Sequence, residues 1–530
     1  MRRTSARLAL LIALPLSAAD PGRPLSLADA TTRALAKNHD IAFERESFHI
    51  ADANLLRADG SYDPSFHLDG GYRTHTDPVN SILSGAPPGE LAPTQSGVSG
   101  SASLSQLLPT GGSVSVSASA SRDRNNSLFT ILAPSYSTSL GVSLRQPLLQ
   151  NLKIDPARRA IRVARIEKDR STASLKRTVT DTVASVEKAY WTLVATRRDV
   201  VVREASVRLA DDQRSDSKTK IDVGTLPESD IAQPEAELER RKGDLYAAQE
   251  TARRAELLLK TLILDDASDA LWNEPVAPTD APETPIVAMD LEKALKSAEA
   301  NRPELADASL RLARQEIELL AARDKILPQL DLVAGYNGRG LAGSLNPNAP
   351  AIGFDGTPVV VNDAVNGGFG RSLGTVFENR FPDASVGLSF TVPIFNRSAK
   401  ADVAIARAGR TQAAISLAQQ RQRVAVEVRD AVLALQTAAQ RIDAARAGRK
   451  AAETQFRAEK ERFDVGLSTN FFVLTRQNEL AQAVLTETNA LTDYRRALTD
   501  FARSAGTLLD ERSIEIKDDA PAIRADGGSR

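Results

Sequence analysis

Cysteine is absent from this 530-residue sequence, and histidine is scarce. Without cysteine the chain forms no disulfide bond and no thiolate metal site, and it has neither a cysteine nucleophile nor a cysteine for an N-terminal lipid anchor. The only histidines are His39, His49, His67 and His75, and their spacing matches no metal-binding motif. Acidic and basic residues are spread along the chain without a catalytic cluster. We therefore predict that the protein is not an enzyme and has no metal or cofactor.

An excess of one charge is also missing, because 67 Lys and Arg balance 68 Asp and Glu for a net charge of −1. This balance argues against a dedicated nucleic-acid binder. Beyond the N-terminus, no run reaches the ~18 apolar residues of a membrane-spanning helix. We therefore expect any membrane insertion to use β-strands.

The N-terminus has the three parts of a secretory signal peptide. Three arginines precede an apolar run at residues 8–16, and small residues follow at 17–19. This order is typical of a cleaved signal, whereas a buried N-terminal helix would not explain the basic flank. We predict a signal peptide at residues 1–19 and a mature chain outside the cytoplasm.

The sequence contains an internal duplication. One set of residues recurs with identical spacing in the second half: Leu27, Ala30, Ala58, Pro64, Leu68, Gly71 and Tyr72 return as Leu291, Ala294, Ala322, Pro328, Leu332, Gly335 and Tyr336. Two further blocks keep the same order, residues 141–147 with 387–393 and residues 222–224 with 464–466. Three matching blocks in one order indicate a tandem repeat.

The repeats define the predicted domains. The first repeat, 20–270, comprises a helix, β-strands within 64–148, a long helix at 156–221, a tip at 222–227 and a helix at 228–264. A proline-rich linker at 271–288 follows. The second repeat, 289–509, comprises a helix, β-strands within 328–395, a long helix at 397–463, a tip at 464–469 and a helix at 470–509. Residues 510–530 lack an apolar stripe and are expected to form a disordered tail.

The long helices carry heptad patterns. Apolar residues alternate at steps of four and three at Val179, Val183, Val186, Tyr190 and Leu193, and again at Val424, Val428, Ala431, Leu435, Ala438 and Ile442. This spacing predicts coiled-coil packing. A helix of roughly 65 residues is about 100 Å long, which suits a tube; an ordinary bundle is the alternative and would need helix breakers that these segments lack.

Between the helices, apolar and polar residues alternate with a period of two. Each repeat offers one clear strand pair, 64–75 with 139–148 and 328–337 with 384–395. A half-buried soluble sheet shows the same alternation, but with a secretory signal it fits a transmembrane barrel. Four strands per chain are too few for a barrel, so several chains must pool them. A further hairpin within 98–120 raises the count to six, and its membership of the barrel is left open.

This ordered set of features resembles the TolC-type outer-membrane efflux proteins over nearly the whole mature chain. The resemblance implies a mostly α protein whose trimer forms one twelve-stranded outer-membrane β-barrel, continued by a long periplasmic α-helical coiled-coil barrel. It implies an exit channel of a tripartite efflux pump or type I secretion system, with outer-membrane lipid around it. The implied partners are two further copies, a periplasmic adaptor (membrane fusion) protein and an inner-membrane transporter.

The resemblance also implies roles for the tips. The matched adaptor-contact residues are Asp222, Val223, Gly224, Thr225, Asp464, Val465, Gly466 and Leu467. At the periplasmic gate, Asp230 matches an acidic residue of the relatives, whereas Phe472 stands where the second repeat should carry another. We hypothesise that Phe471 or Phe472 forms an apolar constriction with Asp230; packing of both phenylalanines between helices is the alternative.

A different class of function remains possible from the sequence. A soluble periplasmic coiled-coil scaffold without channel activity would explain the helices and the signal peptide. It would not explain strand pairs at matching positions in both repeats.

Overall fold

A computed structural model of the protein describes residues 22–76, 78, 85–283, 285–287, 289–352, 356–465 and 467–516. The predicted signal peptide, Gly466 of the second tip and most of the predicted tail lie outside these residues. The chain divides into two compact units. The helical unit is the described part of residues 1–50, 169–310 and 414–530, and the sheet unit is the described part of 51–168 and 311–413.

The main elements follow one another in this order: β1 (Arg23–Leu25), α1 (Leu27–Lys37), α2 (His39–Asp59), β2 (Ser65–Thr76), β3 (Thr94–Leu107), β4 (Ser113–Asn125), β5 (Leu132–Pro147), α3 (Pro156–Asp222), α4 (Ala232–Ile263), β6 (Val276–Pro278), α5 (Leu291–Asn301), α6 (Pro303–Asp324), β7 (Gln329–Leu345), α7 (Phe369–Phe377), β8 (Phe381–Thr391), α8 (Arg397–Asp464), α9 (Asn470–Ala505) and α10 (Leu508–Glu511).

Two helices dominate the chain. α3 has 67 residues and α8 has 68, so each is about 100 Å long at 1.5 Å per residue. α3 contains no proline after its first residue, where proline is tolerated. In the described part of the chain, no helix has both the length and the apolar composition to cross a membrane.

The helical unit has a separate hydrophobic core for each repeat. The first core joins α1, α3 and α4, and its most buried side chains include Val186, Tyr190, Leu193, Leu259 and Ile263. The second core joins α5, α8 and α9, and its most buried side chains include Val428, Leu435, Ile442, Leu491 and Tyr494. The other heptad positions lie in these two cores, whereas Val179 and Val183 lie in a third cluster with Ala502, Leu508 and Leu509. Burial of each large aliphatic side chain contributes about 1.5–3 kcal/mol.

The linker after α4 pairs with β1 near the start of the described chain. β6 pairs in parallel with β1, with Arg23 opposite Val276. The buried Tyr190 hydroxyl lies 2.6 Å from the Asp280 carboxylate and accepts a hydrogen bond from the Thr279 amide at 3.1 Å. Burial and the bond to Asp280 raise the pKa of Tyr190 above its ordinary value. The tyrosine therefore stays neutral and can hold the linker on α3.

The C-terminal residues of the described chain also pack on α3. Glu187 is buried, and its carboxylate accepts hydrogen bonds from Arg512 Nε and Thr499 Oγ1, both at 2.6 Å. A buried carboxylate needs such partners. The segment expected to be disordered from residue 510 is therefore ordered at its start, whereas residues 517–530 lie outside the described chain.

The sheet unit contains one sheet of six antiparallel strands in the order β2-β3-β4-β5-β7-β8. The prediction of about four strands is wrong for this sheet, because the hairpin β3–β4 lies between β2 and β5. Serine, alanine and glycine dominate these two strands. Their alternation is therefore a weaker hydrophobic signal than that of β5 or β8.

The two faces of the sheet differ in polarity. One face carries large apolar side chains that are exposed in the single chain: Phe66, Leu68, Tyr72, Val98, Leu104, Val116, Leu140, Val142, Val386, Leu388 and Phe390. The opposite face carries mainly serine, with glycine and a few charged residues. Alternate residues of each strand belong to one face, so the sequence alternation sets both surfaces.

Pairs of introduced cysteines test the strand order. The hydroxyl oxygens of Ser65 and Ser105 lie 2.7 Å apart across β2 and β3, and those of Ser115 and Ser143 lie 2.7 Å apart across β4 and β5. We expect each pair, changed to cysteine, to form a disulfide on mild oxidation, because opposed residues are within bridging distance. Mass spectrometry of non-reduced digests measures the bond in a chain that has no other cysteine.

The control for this experiment is Asp69→Cys with Ser105→Cys, which lies four residues out of register on the same face. We expect no disulfide there. A bond in the control, or none in either matched pair, would contradict the six-strand order.

Candidate functional site

The first predicted tip is a glycine turn at the end of α3. Gly224 has a φ of +80°, in the left-handed region that favours glycine. Its amide donates to the Ile221 carbonyl at 2.8 Å, and the Thr225 amide donates to the Lys220 carbonyl at 2.8 Å. Val223 is 72% exposed. The turn thus presents an aliphatic side chain that has no apolar cover in the single chain.

The second predicted tip lies between α8 and α9. The Leu467 amide donates to the Arg462 carbonyl at 2.8 Å, which closes the end of α8. Val465 and Leu467 are as exposed as Val223. Gly466 and the side chain of Asp464 lie outside the described structure. The described aliphatic residues of both tips are therefore available to a partner.

One contact brings the two tips together within the helical unit. Lys220 Nζ, in the last turn of α3, lies 5.7 Å from the centre of the Phe463 ring, in the last turn of α8. This distance is within the range of a cation–π interaction. The two tips therefore adjoin, as an adaptor-binding surface made from both would require.

The gate candidates follow the tips. Asp230 is exposed in a short 3-10 helix, Glu228–Ile231, and its carboxylate accepts a hydrogen bond from Ser229 Oγ at 3.2 Å. Phe471 and Phe472 begin α9, with ring centres 5.6 Å apart in an edge-to-face arrangement. They are 58% and 51% exposed. In the single chain, neither ring is therefore enclosed between helices, and the gating role stays a prediction.

Charged pairs reinforce α4 close to the first tip. The Glu237 carboxylate accepts hydrogen bonds from Arg240 Nε at 2.9 Å and Arg241 Nε at 2.8 Å. Arg241 is itself buried and also donates to the Ser206 carbonyl on α3 at 3.2 Å. The bonds from Arg240 and then Arg241 lower the pKa of Glu237 to about 2. Glu237 therefore links α4 to α3 while it is ionised.

The polar face of the sheet is a second candidate site. It lines a concave groove with Asp69, Ser99, Ser101, Ser119, Ser137 and Asn337 among its residues. Serine hydroxyls pair across strands, as Ser119 and Ser139 do at 2.7 Å. Among the described residues, no group of three or more His, Asp or Glu side chains is placed to hold a metal ion. The groove is thus a hydroxyl-rich surface suited to contact with water.

The serine-rich face that β3 and β4 form in the sheet was not predicted from the sequence. The signal was present, since serine occupies every second position from Ser99 to Ser105 and again from Ser113 to Ser121. The hairpin itself was predicted, but the mostly small residues between these serines left its place in the barrel open.

The ionisation of Glu237 gives a pH-dependent prediction. Its folded pKa of about 2 lies below the ordinary value of 4.5, so its contribution to stability is complete above about pH 4.5 and is lost as the pH falls through about 2. We expect the start of α4 to lose amide-exchange protection severalfold between pH 4.5 and 2, measured by mass spectrometry and corrected for intrinsic exchange.

The control is Glu237→Gln, which removes the charge at every pH. It should show weaker protection already at pH 6 and no further loss at low pH. Equal pH dependence in both proteins would contradict the role of Glu237.

The comparisons with known proteins concern both the second repeat and the whole fold. Residues 294–507 match the sequence model of the outer membrane efflux protein family. No curated protein sequence matches this one. The family match agrees with the outer-membrane localisation predicted from the sequence.

Several solved structures of outer-membrane channels share the fold. The CmeC channel of Campylobacter jejuni is 17% identical with a TM-score of 0.61, covering 93% of this chain and 90% of that one. The open-state MtrE channel of Neisseria gonorrhoeae is 16% identical with a TM-score of 0.58, covering 92% and 91%. VceC of Vibrio cholerae, an outer membrane protein, is 14% identical with a TM-score of 0.59, covering 91% and 96%.

At these identities the structural likeness establishes the fold, and the family match adds the sequence relationship of the second repeat. The match over residues 294–507 and the shared fold together confirm the resemblance of this chain to the TolC-type outer-membrane efflux proteins.

Proposed function

We propose that this protein is the outer-membrane exit channel of a tripartite efflux pump or a type I secretion system. In this role it is not an enzyme; it passes substrates from an inner-membrane transporter, through a periplasmic adaptor, to the outside. The observation that carries the proposal is the six-stranded sheet with one exposed apolar face and one polar face.

The apolar face argues for lipid contact. Leu388 and Phe390 on β8, like Phe66 and Leu68 on β2, are exposed in the single chain. Each such side chain loses about 1.5–3 kcal/mol of favourable transfer free energy if it stays in water. A large exposed apolar surface marks an interaction site. A bilayer around the sheet would cover this face while leaving the serine-rich face in water.

The open edges of the sheet argue for assembly. In the described part of the chain, β2 and β8 each have a neighbouring strand on one side only. Backbone groups cannot stay unpaired in hydrocarbon, so β8 of one copy would pair with β2 of the next. With six strands per chain, the trimer would pool eighteen strands, where the resemblance implied twelve. Barrels of sixteen to eighteen strands leave an aqueous channel.

The tips are the proposed contact with the adaptor. Val223, Val465 and Leu467 are exposed, and the Lys220–Phe463 contact sets the two turns side by side. An exposed aliphatic patch on two adjoining turns suits apolar packing against a partner hairpin. Asp222, Gly224, Thr225, Asp464 and Gly466 would shape these turns.

The gate is proposed to lie just past the tips. Phe471 and Phe472 are apolar rings at the surface of a chain that would be repeated three times around the channel axis, and Asp230 would supply the charge from the first repeat. Apolar constrictions close pores by expelling water. The exposure of both rings in the single chain leaves them available for this role.

The soluble-scaffold alternative gives no account of the sheet. A scaffold in water would need to bury the apolar side chains of β2 and β8, yet both strands are exposed along their whole length. The channel proposal accounts for that exposure and for the helices together.

The assembly can be tested on protein extracted from isolated outer membranes in mild detergent. We expect a particle near three times the 56.9 kDa chain mass, slightly less after signal removal, by light scattering corrected for bound detergent. In the double variant Asp69→Cys with Ser385→Cys, a short bis-maleimide should link β2 to β8 of neighbouring copies and give covalent dimers and trimers.

The matched control is Ser117→Cys with Ser385→Cys, which moves one thiol from the edge strand β2 to the interior strand β4. It should give no covalent dimers or trimers. A soluble monomer or dimer in the periplasmic fraction would overturn the channel and support the scaffold.

The gate can be tested separately in planar bilayers. We expect Phe472→Ala to raise single-channel conductance, because it removes an apolar ring from the constriction. Phe43→Ala, which removes an exposed ring from α2, should leave conductance unchanged. Unaltered conductance of Phe472→Ala would reject the apolar gate without bearing on the trimer.

A further inference from the structure

The segment between β7 and β8 contains a nine-residue helix, α7, that lies on the apolar face of the sheet. It packs against β7 and β5. Its contacts are with Gly338, Gly340 and Thr138, which belong to the same face as Leu140 and Val142. The helix is therefore on the side opposite the serine-rich groove.

Two glycines allow this close approach. A Cβ atom on Gly340 would collide with the carbonyl oxygen of Ser372, and one on Gly338 would lie 3.3 Å from Val376 Cγ1. Only glycine leaves room for a helix backbone so near the strand. These two glycines of β7 therefore provide the space that α7 occupies.

The side of α7 that faces the sheet carries small side chains, of which Ser372 and Thr375 are polar and Val376 is apolar. Ser372 and Thr375 are fully buried. Ser372 Oγ lies 2.9 Å from Thr138 Oγ1, and the Leu341 amide donates to Thr375 Oγ1 at 3.2 Å. These bonds satisfy the buried hydroxyls, so the contact is specific although it contains little apolar surface.

The exposed side of α7 is apolar. Phe369, Leu373 and Phe377 are spaced four residues apart and form one ridge along the helix. They are 48%, 40% and 72% exposed. Arg371 lies away from this ridge and pairs with Glu378 at 2.9 Å, and Arg380 pairs with the same carboxylate. A helix covered by water shows the reverse distribution, with its apolar side buried.

We propose that α7 is a membrane-interface anchor whose Phe369-Leu373-Phe377 ridge contacts the hydrocarbon of the bilayer. This inference rests on the proposed function, because it requires the apolar face of the sheet to be in the membrane. The ridge extends that same face, with Leu140 and Val142 below it on β5. The neighbouring arginines suit the headgroup level.

Lipid is a better occupant than a second protein. Three side chains cannot provide the roughly 1,200–2,000 Å² that a stable protein interface buries, and no acidic residue lies on the ridge itself. Bilayer hydrocarbon needs only an apolar surface at the right depth, which aromatic side chains at a membrane boundary provide. The anchor would fix the depth of the sheet rim and hold the β7–β8 segment away from the polar face.

The test uses the full-length protein in phosphatidylcholine–phosphatidylglycerol vesicles with a single nitroxide on an introduced cysteine. Leu373→Cys and Phe377→Cys place the label on the ridge, and Arg371→Cys places it on the opposite, charged side of the same helix, where Arg371 pairs with Glu378. We expect collision with oxygen to exceed collision with a water-soluble nickel complex at the two ridge positions, and the reverse at Arg371→Cys.

A reference label separates this proposal from the proposed function. Leu388→Cys lies on the apolar face of β8 and should be lipid-exposed if the sheet is inserted. Lipid exposure at Leu388→Cys with water contact or full shielding at both ridge positions would overturn the anchor alone. Water contact at Leu388→Cys would overturn membrane insertion and the anchor together.

Discussion

Backbone hydrogen bonds must be complete wherever a sheet enters hydrocarbon, and the proposed channel depends on this requirement. Among the residues that the structure describes, the six strands pair with one another except along the outer edges of β2 and β8. The side chains agree with the same requirement, because the large apolar residues lie on one face and serines on the other. In the proposed channel a single copy would therefore be incomplete, and strands of further copies would have to pair with these two edges.

In the helical unit, long helices are held in place although each has little apolar surface to bury. Each repeat has its own core, and a buried tyrosine occurs in both, Tyr190 in the first and Tyr494 in the second. Both hydroxyls bond to linker backbone, since Val287 donates to Tyr494 at 3.1 Å as Thr279 does to Tyr190. The duplicated sequence thus binds its own linker twice, once with each repeat.

The parts of the fold in which one physical signal dominates a segment could be predicted from the sequence. The long helices follow from the absence of proline and from apolar residues at heptad spacing, and the tips follow from glycines at the ends of those helices. The hairpin β3–β4 remained open because Ala118 and Gly100 supply almost no hydrophobic contrast with the serines beside them. α7 was not predicted at all, since its apolar residues are exposed and its seat depends on Gly338 and Gly340, which lie about thirty residues earlier in the sequence.

The charges on the polar face have a consequence for what such a wall can discriminate. Arg339 lies 2.6 Å from Asp383, and Arg145 lies 2.6 Å from Asp331. Opposite charges held this close cancel each other's field within a few ångströms in the presence of salt. Between them the surface consists of hydroxyl groups, which accept and donate equally well. A passage lined in this way would pass anions and cations with little preference for either sign, so that any choice of cargo would have to be made before the cargo entered.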